Sequence, residues 1–181
     1  MWNLPNILAS FRVLLAPLFL FLLILAGNNN TEIHTSWLNY FAGLVFVIAS
    51  VTDFFDGYIA RSWNQITKLG SIIDPLADKM LTLAGFLGLM YIDRANVWAV
   101  YLILIREFFI TGFRVVMASE NIEVSASMAG KVKTVFQMIA IGFLTMQWWG
   151  GELLLWIAVA LTLYSGFEYI LAYMKKVSKQ G

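Results

Sequence analysis

The sequence predicts an all-α integral membrane protein: a six-transmembrane-helix bundle with both termini on the cytoplasmic side. Three observations carry that expectation. Hydrophobic residues make up 60% of the 181 and charged residues 13%, against about 45–50% and about 25% in a soluble domain. The apolar residues gather into six segments, each near the ~20 residues that a helix needs to cross a bilayer. The basic residues concentrate on one side of those segments, as the positive-inside rule requires of the cytoplasmic side.

The segments run over residues 4–26, 37–62, 71–92, 96–119, 128–148 and 152–174. The first has Asn3 as an N-cap and Pro5 in its opening turn. Its apolar run is too long for a signal peptide and contains Arg12 and Pro17, so it reads as a mature helix. The links near 27–36, 92–96 and 149–152 hold one basic residue, Arg94. The opposite side collects Arg61, Lys68, Lys131, Lys133, Lys175, Lys176 and Lys179, with Arg12 and Lys79 near it. The termini and the 62–70 and 119–130 links are therefore expected in the cytoplasm. Trp37, Trp98, Trp148 and Trp149 fall at the outer boundary and Trp2 and Trp63 at the inner one, an aromatic belt. Residues 1–181 are expected to form a single membrane domain. The absence of cysteine excludes disulfides and thiolate metal sites, and no nucleic-acid partner is expected.

Four aspartates interrupt the apolar pattern. Asp53, Asp56, Gly57 and Ala60 occupy i, i+3, i+4 and i+7 near the end of the second segment and share one helix face. Asp74 and Asp78, i and i+4 at the start of the third, also share a face. The short link makes these two helices antiparallel neighbours, so all four carboxylates are expected at one depth, just inside the cytoplasmic boundary. An ionised carboxylate in hydrocarbon costs at least ~2.5–3.5 kcal/mol. Pairing with Arg61, Lys68 and Lys79 accounts for two carboxylates at most, which leaves divalent cations to compensate the rest. An all-oxygen donor set without His or Cys selects Mg²⁺, Mn²⁺ or Ca²⁺, and paired metals are the usual arrangement for phosphoryl displacement. Gly57 and Ala60 either let helices pack closely or leave a slot where a ligand approaches the backbone. Beside two aspartates the slot is the better reading. Arg61, one turn beyond Gly57, can reach a phosphate.

The spacing D-x2-D-G-x2-A-R-x8-G-x3-D-x3-D, met at Asp53, Asp56, Gly57, Ala60, Arg61, Gly70, Asp74 and Asp78, resembles the signature of the CDP-alcohol phosphotransferases. That resemblance implies a six-helix membrane enzyme that commonly pairs as a homodimer. It implies two divalent ions, Mg²⁺ or Mn²⁺, among Asp53, Asp56, Asp74 and Asp78, with Asp78 also the general base. Asn6, Gly57, Ala60, Arg61 and Thr67 would line the CDP pocket, although Asn6 equally fits an ordinary polar helix start. The implied donor is CDP-diacylglycerol, its acyl chains among membrane lipids. No Ser, Cys or His stands near the cluster as a covalent nucleophile, and the lone His34 falls in an outer loop. Direct displacement by an acceptor hydroxyl is therefore expected, in a bacterial cytoplasmic membrane with the active site facing the cytoplasm.

Basic residues argue for the acceptor. Arg106 and Arg114 lie two turns apart on the fourth segment, and Lys131 and Lys133 open the fifth. Together they suit a phosphate-bearing acceptor such as glycerol 3-phosphate. Lys131 and Lys133 equally fit the positive-inside rule, and Arg106 can pair with Glu107 or a neighbouring aspartate. Arg114, inside an apolar run, is the hardest to explain without a ligand. Asn3–Leu8 with Arg12, Ile105-Arg106-Glu107 and Gly130–Thr134 resemble the bacterial branch of the family that uses glycerol 3-phosphate. Inositol phosphate or another alcohol is the alternative acceptor. An intramembrane prenyltransferase and a divalent-cation transporter are the more distant readings.

Overall fold

A computed structural model describes the backbone of residues 4–28, 32–62, 70–119 and 128–177, and the side chains of residues 10–28, 34–52, 79–117 and 128–174. Six helices and, among the described residues, no strand account for it: α1 (Leu4–Asn28), α2 (Glu32–Ser62), α3 (Gly70–Tyr91), α4 (Val97–Ser119), α5 (Met128–Thr145) and α6 (Gly151–Val177). Every expected segment is a helix. The start of α2 lies further upstream than hydropathy predicts, because its first turns are polar (Glu32, His34, Thr35 and Ser36) yet still helical. By length and composition, three stretches among the described residues can cross a membrane: Ser10–Asn28, His34–Thr52 and Gly151–Met174. Among the described residues of α3, Lys79–Tyr91 is a shorter apolar stretch. α4 carries Arg106, Glu107 and Arg114, and α5 opens with Lys131 and Lys133.

The chain divides into two compact units: Met1–Arg94 with Ile141–Trp149, and Ala95–Ala140 with Gly150–Gly181. In the first, α1 packs along both α2 and α3, which touch each other far less. α2 and α3 touch, as expected of neighbours, and among the described residues α1 is the main neighbour of each. Missing side chains permit the approach. A Cβ on Gly85 would stand 3.0 Å from Phe19 Cε1, and one on Gly88 would stand 2.7 Å from Leu23 Cδ1. Gly27 likewise abuts Ile92. These pairs ascend together, so α1 and α3 run parallel, while Phe19 meets Phe46 of α2 at 5.1 Å between ring centroids.

Two helices of this unit close in the same way. Asp93 N–H donates to Met90 O and Arg94 N–H to Leu89 O; Gln147 N–H donates to Leu144 O and Trp148 N–H to Phe143 O. Both are Schellman closures, with Asp93 (φ 56°) and Gln147 (φ 55°) in the left-handed position. The second ends α5 at Thr145, short of the expected 148. Arg94 ties the two ends together, donating to Asn39 Oδ1 (2.8 Å) on α2 and to Thr145 O (3.1 Å) at the end of α5. With its amide oxygen toward the guanidinium, Gln147 also accepts from Arg94 Nε and Nη2 at 3.1 Å. Burial lowers the Arg94 pKa from its ordinary value.

In the second unit Asn96 caps α4, its Oδ1 accepting from Trp98 N–H (2.9 Å) and Ala99 N–H (3.3 Å). α4 and α6 pack through Ile110, Met117 and Tyr169, flanked by Phe113, Ile170 and Tyr173.

Candidate functional site

Helix register in the first unit places the aspartate backbones. The buried stripe of α2 is Asn39, Ala42, Phe46 and Ala49, alternating steps of three and four residues. Its next members are residues 53 and 56, and α2 continues unbroken to Ser62. On α3, Gly85 and Ile92 lie against α1, and one heptad before Gly85 is residue 78. One heptad before the buried Leu81 is residue 74. A heptad advances about 10 Å along a helix. The antiparallel α2 and parallel α3 therefore bring all four aspartate positions to one level along α1, near residues 9–13. The side chains of Asp53, Asp56, Asp74 and Asp78 lie outside the described residues, as do those of Asn6, Gly57, Ala60 and Arg61, while Thr67 lies outside them altogether. No group of three His, Cys, Asp or Glu able to hold a metal occurs among the described residues. The four aspartates themselves are an all-carboxylate set suited to hard divalent ions.

The second unit holds the four cations expected to meet the acceptor. Glu107 Oε1 accepts from Arg106 Nη1 at 3.2 Å and from Lys133 Nζ. Arg106 Nη2 donates to Ser165 Oγ on α6 at 2.8 Å, and its stem lies against Gly166, where a Cβ would stand 3.0 Å from Nε. Arg106 Nε is buried with no hydrogen-bond partner among the described residues. The polar stripe continues through Ser165, which donates to Thr162 O, and Gln137, which donates to Thr162 Oγ1 at 2.9 Å. Two cations thus share one carboxylate oxygen. Arg114 is exposed, its guanidinium 5.0 Å from the Tyr169 ring centroid, and Lys131 is exposed. The structure therefore joins Arg106 and Lys133 and gives Arg114 an aromatic neighbour of its own.

A family model described as CDP-alcohol phosphatidyltransferase matches residues 2–164. The chain belongs to that family. Among the relatives of this CDP-alcohol phosphatidyltransferase are three proteins named CDP-diacylglycerol–glycerol-3-phosphate 3-phosphatidyltransferase. The one from Bacillus subtilis (strain 168) is 39% identical over 93% of this chain and 94% of its own length. The Rickettsia typhi protein is 38% identical over 95% and 97%, and the Escherichia coli K12 protein is 35% identical over 94% of each.

The pairing of Arg106 with Glu107 offered by the sequence is present, but sequence reading missed Gln137, Thr162 and Ser165 as members of this phosphatidyltransferase's buried network. A signal existed: Lys133 and Gln137 are i, i+4, and Thr162 and Ser165 are i, i+3, so each pair forms a polar stripe on an otherwise apolar helix. Glu168, given no role from sequence, has Oε2 buried without a hydrogen-bond partner among the described residues.

Proposed function

We propose that the protein transfers the phosphatidyl group of CDP-diacylglycerol to sn-glycerol 3-phosphate, giving phosphatidylglycerophosphate and CMP. The observation that carries this reading is near full-length similarity to enzymes bearing that name, in a chain that keeps the whole aspartate signature. Asp78 takes the proton of the acceptor hydroxyl, whose oxygen forms a bond to the lipid-side phosphorus as the bond from that phosphorus to CMP breaks. Two Mg²⁺ or Mn²⁺ ions held by Asp53, Asp56, Asp74 and Asp78 supply, when bound, charge neutralisation for the diphosphate and the leaving CMP. Gly57 and Ala60 leave room for the cytidine nucleotide beside α2, and Arg61, Thr67 and Asn6 hydrogen-bond it. Arg106, Arg114, Lys131 and Lys133 bind the acceptor's phosphate. Arg106 Nε, buried without a hydrogen-bond partner among the described residues, supports an anion there.

Residues 1–181 act as one membrane domain, with six spans, both termini and the active site at the cytoplasmic face of a bacterial inner membrane, and a homodimer as the working assembly. Exposed Trp37, Trp98, Trp148 and Trp149 support the outer boundary of those spans. Transfer to inositol phosphate is the second reading, favoured by nothing beyond the shared need for cations. The test supplies purified protein with CDP-diacylglycerol, Mg²⁺ and each alcohol in turn and measures CMP release. Activity with glycerol 3-phosphate, lost on chelation and in Asp78→Asn, is expected. Release with inositol phosphate or serine but not glycerol 3-phosphate would overturn the assignment.

A further inference from the structure

Arg12 is 0% exposed, deep within a helix whose other buried members are Leu15, Ala16, Phe19, Leu23 and Ala26. A guanidinium withdrawn from water needs an opposite charge close by, or the cost of its desolvation stands uncompensated. The packing above it says where that charge comes from. Phe19 touches α2 through Phe46 and α3 through the backbone at Gly85, so Phe19, Phe46 and Gly85 form one layer. Arg12 is one heptad before Phe19 on the same face. Moving the layer one heptad along each helix, forward on antiparallel α2 and backward on parallel α3, replaces Phe46 by Asp53 and Gly85 by Asp78. The nearest polar side chains on the described part of α2 are engaged locally: Ser50 donates to Phe46 O at 2.8 Å and Thr52 to Ile48 O at 2.6 Å.

We propose that Arg12 is a positioning residue, the fixed counter-ion of the aspartate cluster, spanning Asp53 on one side and Asp78 on the other. The inference rests on reading the four aspartates as the metal site. An arginine suits this place because its planar fork of five donors can hold two carboxylates in fixed directions, where a lysine ammonium offers a single point charge. Before metal binds, four carboxylates at one level repel one another, and Arg12 offsets part of that repulsion. When metal binds, the ions take over most of that duty, and Arg12 keeps Asp78 oriented for proton abstraction.

Melting temperatures of the purified protein in chelator and in saturating Mn²⁺ test this, for wild type, Arg12→Met and Arg12→Lys. Arg12→Met is expected to melt lower than wild type in chelator and to gain more from Mn²⁺, because the metal replaces a counter-ion that wild type already has. Arg12→Lys keeps the charge and should fall between them. In CMP release at saturating Mn²⁺, Arg12→Met should lose kcat by as much as about 100-fold, the scale of a misplaced catalytic group, with the KM for glycerol 3-phosphate unchanged. If Mn²⁺ shifts wild type and Arg12→Met equally, Arg12 is only a packing element and the proposal fails while the metal reading stands. If Mn²⁺ does not shift wild type at all, both fail. Should Arg12→Met not fold, Arg12→Lys decides alone: a Mn²⁺ shift no larger than that of wild type overturns the proposal.

Discussion

Lys133 on α5 donates to the same oxygen of Glu107 that Arg106 reaches at 3.2 Å. The side chains of Arg106, Glu107 and Lys133 are 11%, 17% and 8% exposed, so little water reaches the group. Removing the shared carboxylate takes a charged partner from two buried cations at once, and breaking a buried pair from one side costs about 3–5 kcal/mol. Glu107→Ala is therefore expected to lower the melting temperature sharply. Lys133→Met leaves Arg106 with both Glu107 and Ser165 and should cost less. Thermal unfolding of the purified protein checks the order. An equal loss in the two variants would remove Glu107 from the centre of the network.

That network marks the boundary of what the residues alone could say. Apolar length and period located all six helices, because burial and lipid demand the same signal over twenty residues. The missed details were decided by single groups: a Schellman closure at Gln147 that stops α5, and polar first turns that still extend α2. The aspartates stand out in the sequence as a candidate site because four acids in an apolar chain have few innocent explanations. The place of α1 was not legible, since nothing in the loop lengths says that it lies against both α2 and α3. That follows from glycines at 85 and 88, whose meaning appears only once Phe19 and Leu23 are seen opposite them. The pairing of Arg106 with Glu107 was legible from their adjacency, but the share that Lys133 takes in the same carboxylate was not.

Glycine substitutions should separate sharply by what each new methyl meets. At Gly27 a Cβ would stand 2.9 Å from Ile92 Cβ, on a branched side chain that cannot swing away. Gly27→Ala is expected to destabilise by about 1–3 kcal/mol, the usual cost of overpacking. At Gly112 and Gly142 nothing lies within 4 Å, so alanine there should gain roughly 0.5–1 kcal/mol from the helix backbone alone. Melting temperatures of the three variants should move in opposite directions, and a stabilised Gly27→Ala would contradict the packing of α1 on α3.

Arg94 holds the ends of two helices and the start of α2, so its loss should be structural rather than catalytic. Hydrogen bonds to charged groups are worth about 1.5–3 kcal/mol each, with the lower end apt for a half-buried group. Arg94→Ala is expected to lower the melting temperature while leaving the KM for glycerol 3-phosphate unchanged. Arg94→Lys should recover little, since one ammonium cannot reach Asn39, Thr145 O and Gln147 together. Burial disfavours the charged form of Arg94, but an arginine remains protonated in proteins. The clamp therefore adds no slope to stability across the neutral pH range, which unfolding measured at several pH values would check.

Arg114 poses the sharpest question about the acceptor. Its guanidinium lies over the Tyr169 ring at 5.0 Å, and Tyr169 is itself 4% exposed against Phe113. A cation over a ring at an exposed site is worth about 0.5–1 kcal/mol, enough to orient the side chain but too little to explain a charge placed in an apolar helix. If the ring aims the guanidinium at the phosphate of glycerol 3-phosphate, two variants should behave alike in kinetics and differently in stability. Arg114→Ala removes the charge and should raise the KM for glycerol 3-phosphate with a small change in melting temperature. Tyr169→Leu removes the platform from a packed core, so it should raise the same KM less while lowering the melting temperature more. The KM for CDP-diacylglycerol should stay unchanged in both. An Arg114→Ala enzyme with an unaltered KM for glycerol 3-phosphate would leave Arg114 as a helix-packing cation. It would confine acceptor recognition to the buried pair at Glu107 and the exposed Lys131.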